Sequence, residues 1–241
     1  MRILAALLFC AALLAAACGG DDDTSPTPVA SGSPSPTAAG SATETVGPTA
    51  TATRTGGIEG VLDVPAGGGE VALAAGAYRT ARFQPEAHFS LEDGWSAAFD
   101  TERFVDLYRG EDPAENCVCL ISPDGVFDTE SGAKTDLPTD LVTWLTTNPN
   151  LTTSNPSSLQ VNGLAGRQMD VALKAGVAAA KGTYIAAGDQ SFVVKPGEKQ
   201  HLIVLDYRGK PLIIAQRTPA AEYGAYFPFV ESVVGGLTFA G

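Results

Sequence analysis

The sequence predicts an α+β domain, an antiparallel sheet with helices packed against it in a sandwich, preceded by a signal peptide and a disordered linker. Three observations carry this prediction. Strand-length apolar runs bounded by Gly, Pro, Asn and Asp recur from residue 78 onward. Only two stretches, 138–148 and 218–236, show the three-to-four-residue apolar spacing of a helix. Strands joined by turns, with few helices set apart from them, pack as helix against antiparallel sheet.

The elements follow in chain order. Residues 78–83 form a short strand, and His88-Phe89-Ser90-Leu91 leads through the Asp93-Gly94 turn signal to Trp95 and a further strand. Residues 104–109 alternate, with Val105 and Leu107 on one side, while 117–122 are continuously apolar and read as a central strand. Between Pro138 and Asn148, Leu141, Trp144 and Leu145 stand at i, i+3 and i+4, Pro138 suits a first helical turn, and Asp140 favours its positive end. Residues 163–173 place Met169, Val171 and Leu173 on one face, the pattern of a half-buried antiparallel strand. Residues 202–207 and 212–217 flank Arg208-Gly209-Lys210-Pro211, a hairpin with a basic tip. Thr218-Pro219 opens a helix along which Tyr223, Tyr226, Phe227, Val230, Val233 and Val234 recur, bent at Pro228 and stopped by Gly235-Gly236. A last short strand is expected at 237–239.

Everything before residue 58 belongs to no fold. Arg2 precedes fifteen apolar residues, 3–17, too short a run for a membrane span of about 20 residues and ending in small side chains. The string Leu14-Ala15-Ala16-Ala17-Cys18 resembles the lipobox of bacterial lipoproteins, although Ala15 stands where Leu is commonest. The resemblance implies a signal peptide at 1–17 and lipidation of Cys18, which then heads the mature chain. The other reading is a secretory signal cut after Ala17, leaving Cys18 a free thiol. Apart from Cys18, Asp21, Asp22, Asp23, Val29, Glu44, Val46 and Arg54, residues 18–57 are all Ser, Thr, Pro, Ala or Gly. Such a stretch buries too little apolar area to offset its chain entropy. Its random-coil reach is roughly 35 Å. Residues 58–241 then form a single domain.

Composition narrows the function classes. With 27 acidic against 15 basic residues, the net charge of −12 speaks against a nucleic-acid partner, because phosphate recognition needs clustered Lys and Arg. It also speaks against electrostatic docking on anionic lipid. Two His and four Cys exclude His-rich metal sites and dense disulfide scaffolds. No G-x-S-x-G elbow, H-E-x-x-H or phosphate-binding glycine loop occurs. Asp124, Asp128, Glu130, Asp136 and Asp140 crowd one stretch, but their glycines are misplaced for a calcium loop, and a solvated turn is expected.

Cys117 and Cys119 stand out. Two apart on a strand, they project to one face, with Cα atoms about 6.5–7 Å apart, at the upper limit for a disulfide. The reading favoured is two small buried residues; the alternative is a reversible redox pair. A Cys2His2 metal set with His88 and His201 finds no support in the spacing.

The succession Tyr78 to Phe83, Phe89-Ser90-Leu91 before Asp93-Gly94-Trp95, and Leu137 to Leu145 with Asn148-Pro149 resembles the start of a PsbP-like bacterial lipoprotein domain. Val161 to Gly166 before Met169-Asp170-Val171, and the closing hairpin followed by Tyr223 to Phe239, fit the same pattern. The resemblance covers residues 75–241 and implies an accessory or partner-binding protein, with no catalytic residue to carry over. The expected function is therefore a lipid-anchored, extracytoplasmic, non-catalytic binding module at the cell envelope, held to the cell membrane by its lipid and meeting an envelope protein partner. No cofactor or metal is expected. The alternatives are a carrier of a small apolar or lipid ligand in a void lined by Trp144 and the C-terminal helix, or a thiol redox protein using Cys117 and Cys119.

Overall fold

The computed structural model describes residues 60–64, 68–112 and 115–240, all within the second of the chain's two compact units, Ala52–Gly241. The signal peptide, Cys18 and the linker lie outside the described residues.

The domain is α+β, as the sequence predicts, but its strands are divided among three sheets. The central sheet comprises β2 (Val71–Leu73), β5 (Trp95–Asp100), β6 (Phe104–Arg109), β7 (Cys117–Ile121), β10 (Leu151–Thr153), β11 (Ser157–Val161), β12 (Leu164–Leu173), β15 (Glu198–Tyr207) and β16 (Lys210–Pro219). Its order is β10-β12-β15-β16-β7-β6-β5-β2, with β11 also paired to β12, and its pairings are antiparallel. The continuously apolar strand β7 sits inside this sheet, between β16 and β6.

A second sheet joins β1 (Gly60–Leu62), β3 (Gly76–Thr80), β4 (Ala87–Leu91) and β17 (Thr238–Phe239). Its β1–β3 pair is parallel, whereas its β3–β4 and β4–β17 pairs are antiparallel. The third sheet joins β8 (Gly125–Phe127), β9 (Lys134–Thr135), β13 (Thr183–Ala187) and β14 (Gln190–Val193).

Period-two alternation assigns the two faces of the central sheet to two cores. Leu107, Val118, Ile203, Leu205 and Ile214 face α2 (Tyr223–Gly236) and the β1-β3-β4-β17 sheet. Cys117, Cys119, Met169, Leu202, Val204 and Ile213 face α1 (Leu141–Thr147) and the third sheet. Each fully buried Leu, Ile or Val contributes roughly 1.5–3 kcal/mol over exposure, so these two layers drive the fold.

Both helices differ from expectation at their ends. The first runs only over Leu141–Thr147, because Asp140 is its N-cap and accepts from the Thr143 N–H at 2.9 Å and the Thr143 hydroxyl at 2.6 Å. These bonds hold the Asp140 carboxyl below its ordinary range. The second begins at Tyr223 and not at Thr218, because Thr218 and Pro219 extend β16 and pair with Lys199 and Glu198. It ends at Gly236, as its paired glycines require.

The β15–β16 hairpin is the longest of the described strand pairings, ten residues on each side in unbroken register from Glu198↔Pro219 to Tyr207↔Lys210. Its two-residue turn puts Arg208 at φ 56° and Gly209 at φ 78°, and Asp206 Oδ1 accepts from the Gly209 N–H at 2.7 Å. Two left-handed residues match the twist of a hairpin, which is why Gly follows Arg there.

Candidate functional site

Strand register assembles a polar seam inside the apolar layer under α1 and the third sheet. Asp106 on β6 pairs with Cys119 on β7, and Cys117 pairs with Arg217 on β16, which pairs in turn with Gln200 on β15. All of these side chains share one face of four adjacent strands, by parity with Leu202, Ile213 and Ile121.

Cys117 and Cys119 are free thiols, both 0% exposed, with their sulfurs 3.2 Å apart. The Cys119 thiol donates to Asp106 Oδ1 at 3.6 Å. Burial pushes the Cys119 thiol well above its usual range, and negative charge at Asp106 adds to the effect. Such a thiol is a poor nucleophile, since the thiolate is the reactive form. Asp106 is itself buried, and desolvation raises its carboxyl to about 6 against the pull of Arg217 and the two thiols. Burial works against the charge of Arg217, but its electrostatic interactions with Cys117, Cys119 and Asp106 more than offset it and raise the guanidinium pKa. Above the seam, the Tyr184 hydroxyl donates to Gln200 Oε1, and the Gln200 amide donates to the Val193 carbonyl at 2.7 Å.

Neither histidine approaches these sulfurs. His201 shares the α2 face with Ile203 and Leu205; its Nδ1 is 2.9 Å from Asp170 Oδ1, and its ring stands edge-on to Phe227. Asp170 also accepts from the Tyr223 hydroxyl at 2.7 Å and from Lys199 at 2.9 Å. Partial burial raises the Asp170 carboxyl, but these three donors outweigh it and hold the pKa below the ordinary range. His88 lies on β4 in the second sheet, 2.7 Å from Glu86 Oε1. A Cys2His2 set is thus divided between faces and sheets.

The acidic stretch 124–140 also dissolves into local structure. Asp128 Oδ1 accepts from the Glu130 and Ser131 N–H groups at 3.2 and 2.7 Å, Asp124 pairs with Lys134 at 2.9 Å, and Asp140 caps α1.

The carrier alternative needs Trp144 and the C-terminal helix to line one void, but Trp144 packs against the core on the α1 side of the sheet while α2 packs on the opposite face. Open space lies instead around the hairpin turn. One groove of about 770 Å³ runs from the start of α1 across β11, β12 and β15, with Leu141, Leu159, Ala165 and Val204 as apolar lining and Arg167 beside them. A second, of about 580 Å³, includes Pro85, Arg103, Leu137, Tyr207 and Arg208. Lys210 and Pro211 belong to both, so the hairpin tip stands between them.

The sequence singled out the two thiols and the basic tip. It did not single out Asp106 and Arg217. The signal for them was present: each is a charged residue inside an apolar strand, at the parity of the thiol that it pairs with or faces.

No protein-family model matches the chain, and no curated protein matches it in sequence. Among solved structures, the cyanobacterial PsbP (CyanoP) from Synechocystis sp. PCC 6803 is similar over 74% of this chain and 99% of that one, at 13% identity and a TM-score of 0.39. A protein of known crystal structure from Bacteroides thetaiotaomicron VPI-5482 is similar over 64% of this chain and 45% of that one, at 12% identity and a TM-score of 0.33.

Proposed function

We propose that the chain is a lipid-anchored extracytoplasmic protein acting as a non-catalytic binding module at the cell envelope. The observation that carries this reading is the string Leu14-Ala15-Ala16-Ala17-Cys18 at the end of a fifteen-residue apolar run, followed at once by forty residues of linker composition. Two or three acyl chains on Cys18 hold a protein stably, because each buried methylene contributes about 0.8 kcal/mol. The linker then lets the domain sample a shell roughly 35 Å deep above the membrane. Confinement of that kind raises the effective concentration of neighbouring envelope proteins, so a modest docking surface suffices.

The β15–β16 hairpin tip supports the docking part of the proposal. Arg208 and Lys210 project from a rigid ten-residue ladder between two open grooves, and the tip presents charge and apolar surface together. A side chain set on a paired scaffold loses little freedom on binding.

In-cell cross-linking tests the reading. The full chain, carrying a photoreactive residue at Lys210 or at the exposed Glu92, is captured from membranes. The proposal expects a specific adduct with an envelope protein from position 210 and none from position 92. Equal adduct patterns from both positions count against it.

A further inference from the structure

We propose that Asp106, Cys117 and Cys119 form a buried site for one thiophilic divalent cation of the zinc class, with Arg217 as its charge-balancing neighbour. Their donor atoms, two sulfurs and a carboxylate oxygen, all lie within 4.8 Å of one another. A zinc-like ion about 2.3 Å from sulfur and 2.0–2.2 Å from oxygen, at tetrahedral angles, needs sulfurs roughly 3.8 Å apart and a sulfur–oxygen edge of roughly 3.5 Å. The observed separations are 3.2 Å and 3.6 Å, so rotation of the side chains by a few tenths of an ångström opens the site. The fourth position belongs to a water, as in sites with three protein ligands.

Charge supplies the second argument. Two thiolates and a carboxylate carry three negative charges into an apolar layer, where unpaired charge is costly. A dication and the Arg217 guanidinium carry three positive charges, and the site is neutral as a whole. The single carboxylate favours a divalent ion over cuprous copper, for which an all-sulfur set is better suited.

The ladder supplies the third. Cys117 pairs with both Tyr108 and Arg217, and Cys119 with both Asp106 and Ala215, without a bulge. A disulfide across an extended i, i+2 pair would have to break that register, since its Cα separation of about 6.5–7 Å is at or beyond the bridging range. A bridging cation asks for no backbone movement. Binding is a simple exchange: the ion forms two metal–sulfur bonds and a metal–oxygen bond, and the two thiol protons leave to solvent.

The test uses the full chain in detergent, carrying Cys10→Ala and Cys18→Ala so that only the domain thiols remain. It is kept reduced with a phosphine, unfolded, and refolded with increasing cadmium. The expected result is a sulfur-to-cadmium charge-transfer band that saturates at one ion per chain, with about two protons released. Zinc should displace it. Cys117→Ser or Cys119→Ser should weaken binding by more than the about 10- to 100-fold typical of losing an outer partner, and Arg217→Met by about that much. Asp106→Asn should keep the band and lose affinity. Because such variants can fail to fold, the thermal midpoint of the parent chain gives a second readout, and zinc should raise it. Absence of a saturating band, an unchanged midpoint, or recovery of the 117–119 peptide as a disulfide from rapidly alkylated cells overturns the proposal.

Discussion

Asp100 at the end of β5 accepts the backbone N–H of Phe83 at 3.0 Å, and its other oxygen takes the N–H groups of Ala81 and Arg82 at 2.7 and 3.1 Å. One buried carboxylate therefore closes the whole loop that leaves β3, and Phe83 is fully buried beneath it. Each hydrogen bond to a charged group contributes about 1.5–3 kcal/mol, and the orphaned N–H groups carry a further cost. Asp100→Ala should destabilise the domain by at least about 3 kcal/mol. Urea unfolding measures this; a change smaller than that of an ordinary surface substitution would mean that water replaces the carboxylate.

Asp106 makes the reduced, cation-free chain pH-sensitive. Its folded-state carboxyl titrates at about 6, above the unfolded value. Between roughly pH 4 and pH 6 the folded state holds a proton that the unfolded state has lost, so this contribution is fully present below the unfolded pKa and fades as pH rises. The full effect is on the order of 2–3 kcal/mol. Asp106→Asn should gain stability relative to the parent by about that amount between pH 4 and pH 7. Parallel unfolding-versus-pH profiles for the two proteins would contradict it.

Two glycines should respond to alanine with opposite sign. A Cβ on Gly182 would lie 2.0 Å from the Val194 carbonyl oxygen, a backbone atom that cannot step aside. Gly182→Ala should cost about 3 kcal/mol or more. Gly224, in the first turn of α2, has nothing within 4 Å of that position, and Gly224→Ala should stabilise by roughly 0.5–1 kcal/mol. Thermal denaturation of both variants checks the pair.

At the hairpin tip, stability and docking should separate. Arg208 is held at φ 56°, a left-handed conformation that costs a side-chain-bearing residue roughly 1 kcal/mol. Arg208→Gly should raise the thermal midpoint, yet reduce the yield of the cross-link from position 210. A variant that loses stability, or keeps the full yield, contradicts this account of the tip.

The strands legible in the sequence were those in which alternation, continuous apolarity or a turn signal coincided with burial: β3 to β7, β12, the two sides of the long hairpin and the short β17. Strands β13 and β14, a hairpin absent from the sequence expectation, carry a local signal in Tyr184 to Ala187, a Gly188-Asp189 turn and Phe192-Val193. Thr218-Pro219 reads locally as a helix opening, which places the expected start of α2 five residues before Tyr223. Pairing with Lys199 and Glu198, invisible to local pattern, keeps it in the sheet. The division into three sheets and the parallel β1–β3 pair depend on contacts between distant segments, which periodicity does not encode. Likewise, the two thiols announced themselves by spacing, whereas Asp106 and Arg217 join them only through strand order.

The most direct test of the central claim is the mass of the N-terminal peptide of the mature chain recovered from cell membranes. The account predicts that it begins at Cys18 and carries a thioether-linked diacylglyceryl group, and that Cys18→Ala leaves the chain unprocessed. A mature chain cut after Ala17, with Cys18 unacylated and the protein released from the membrane, would contradict it.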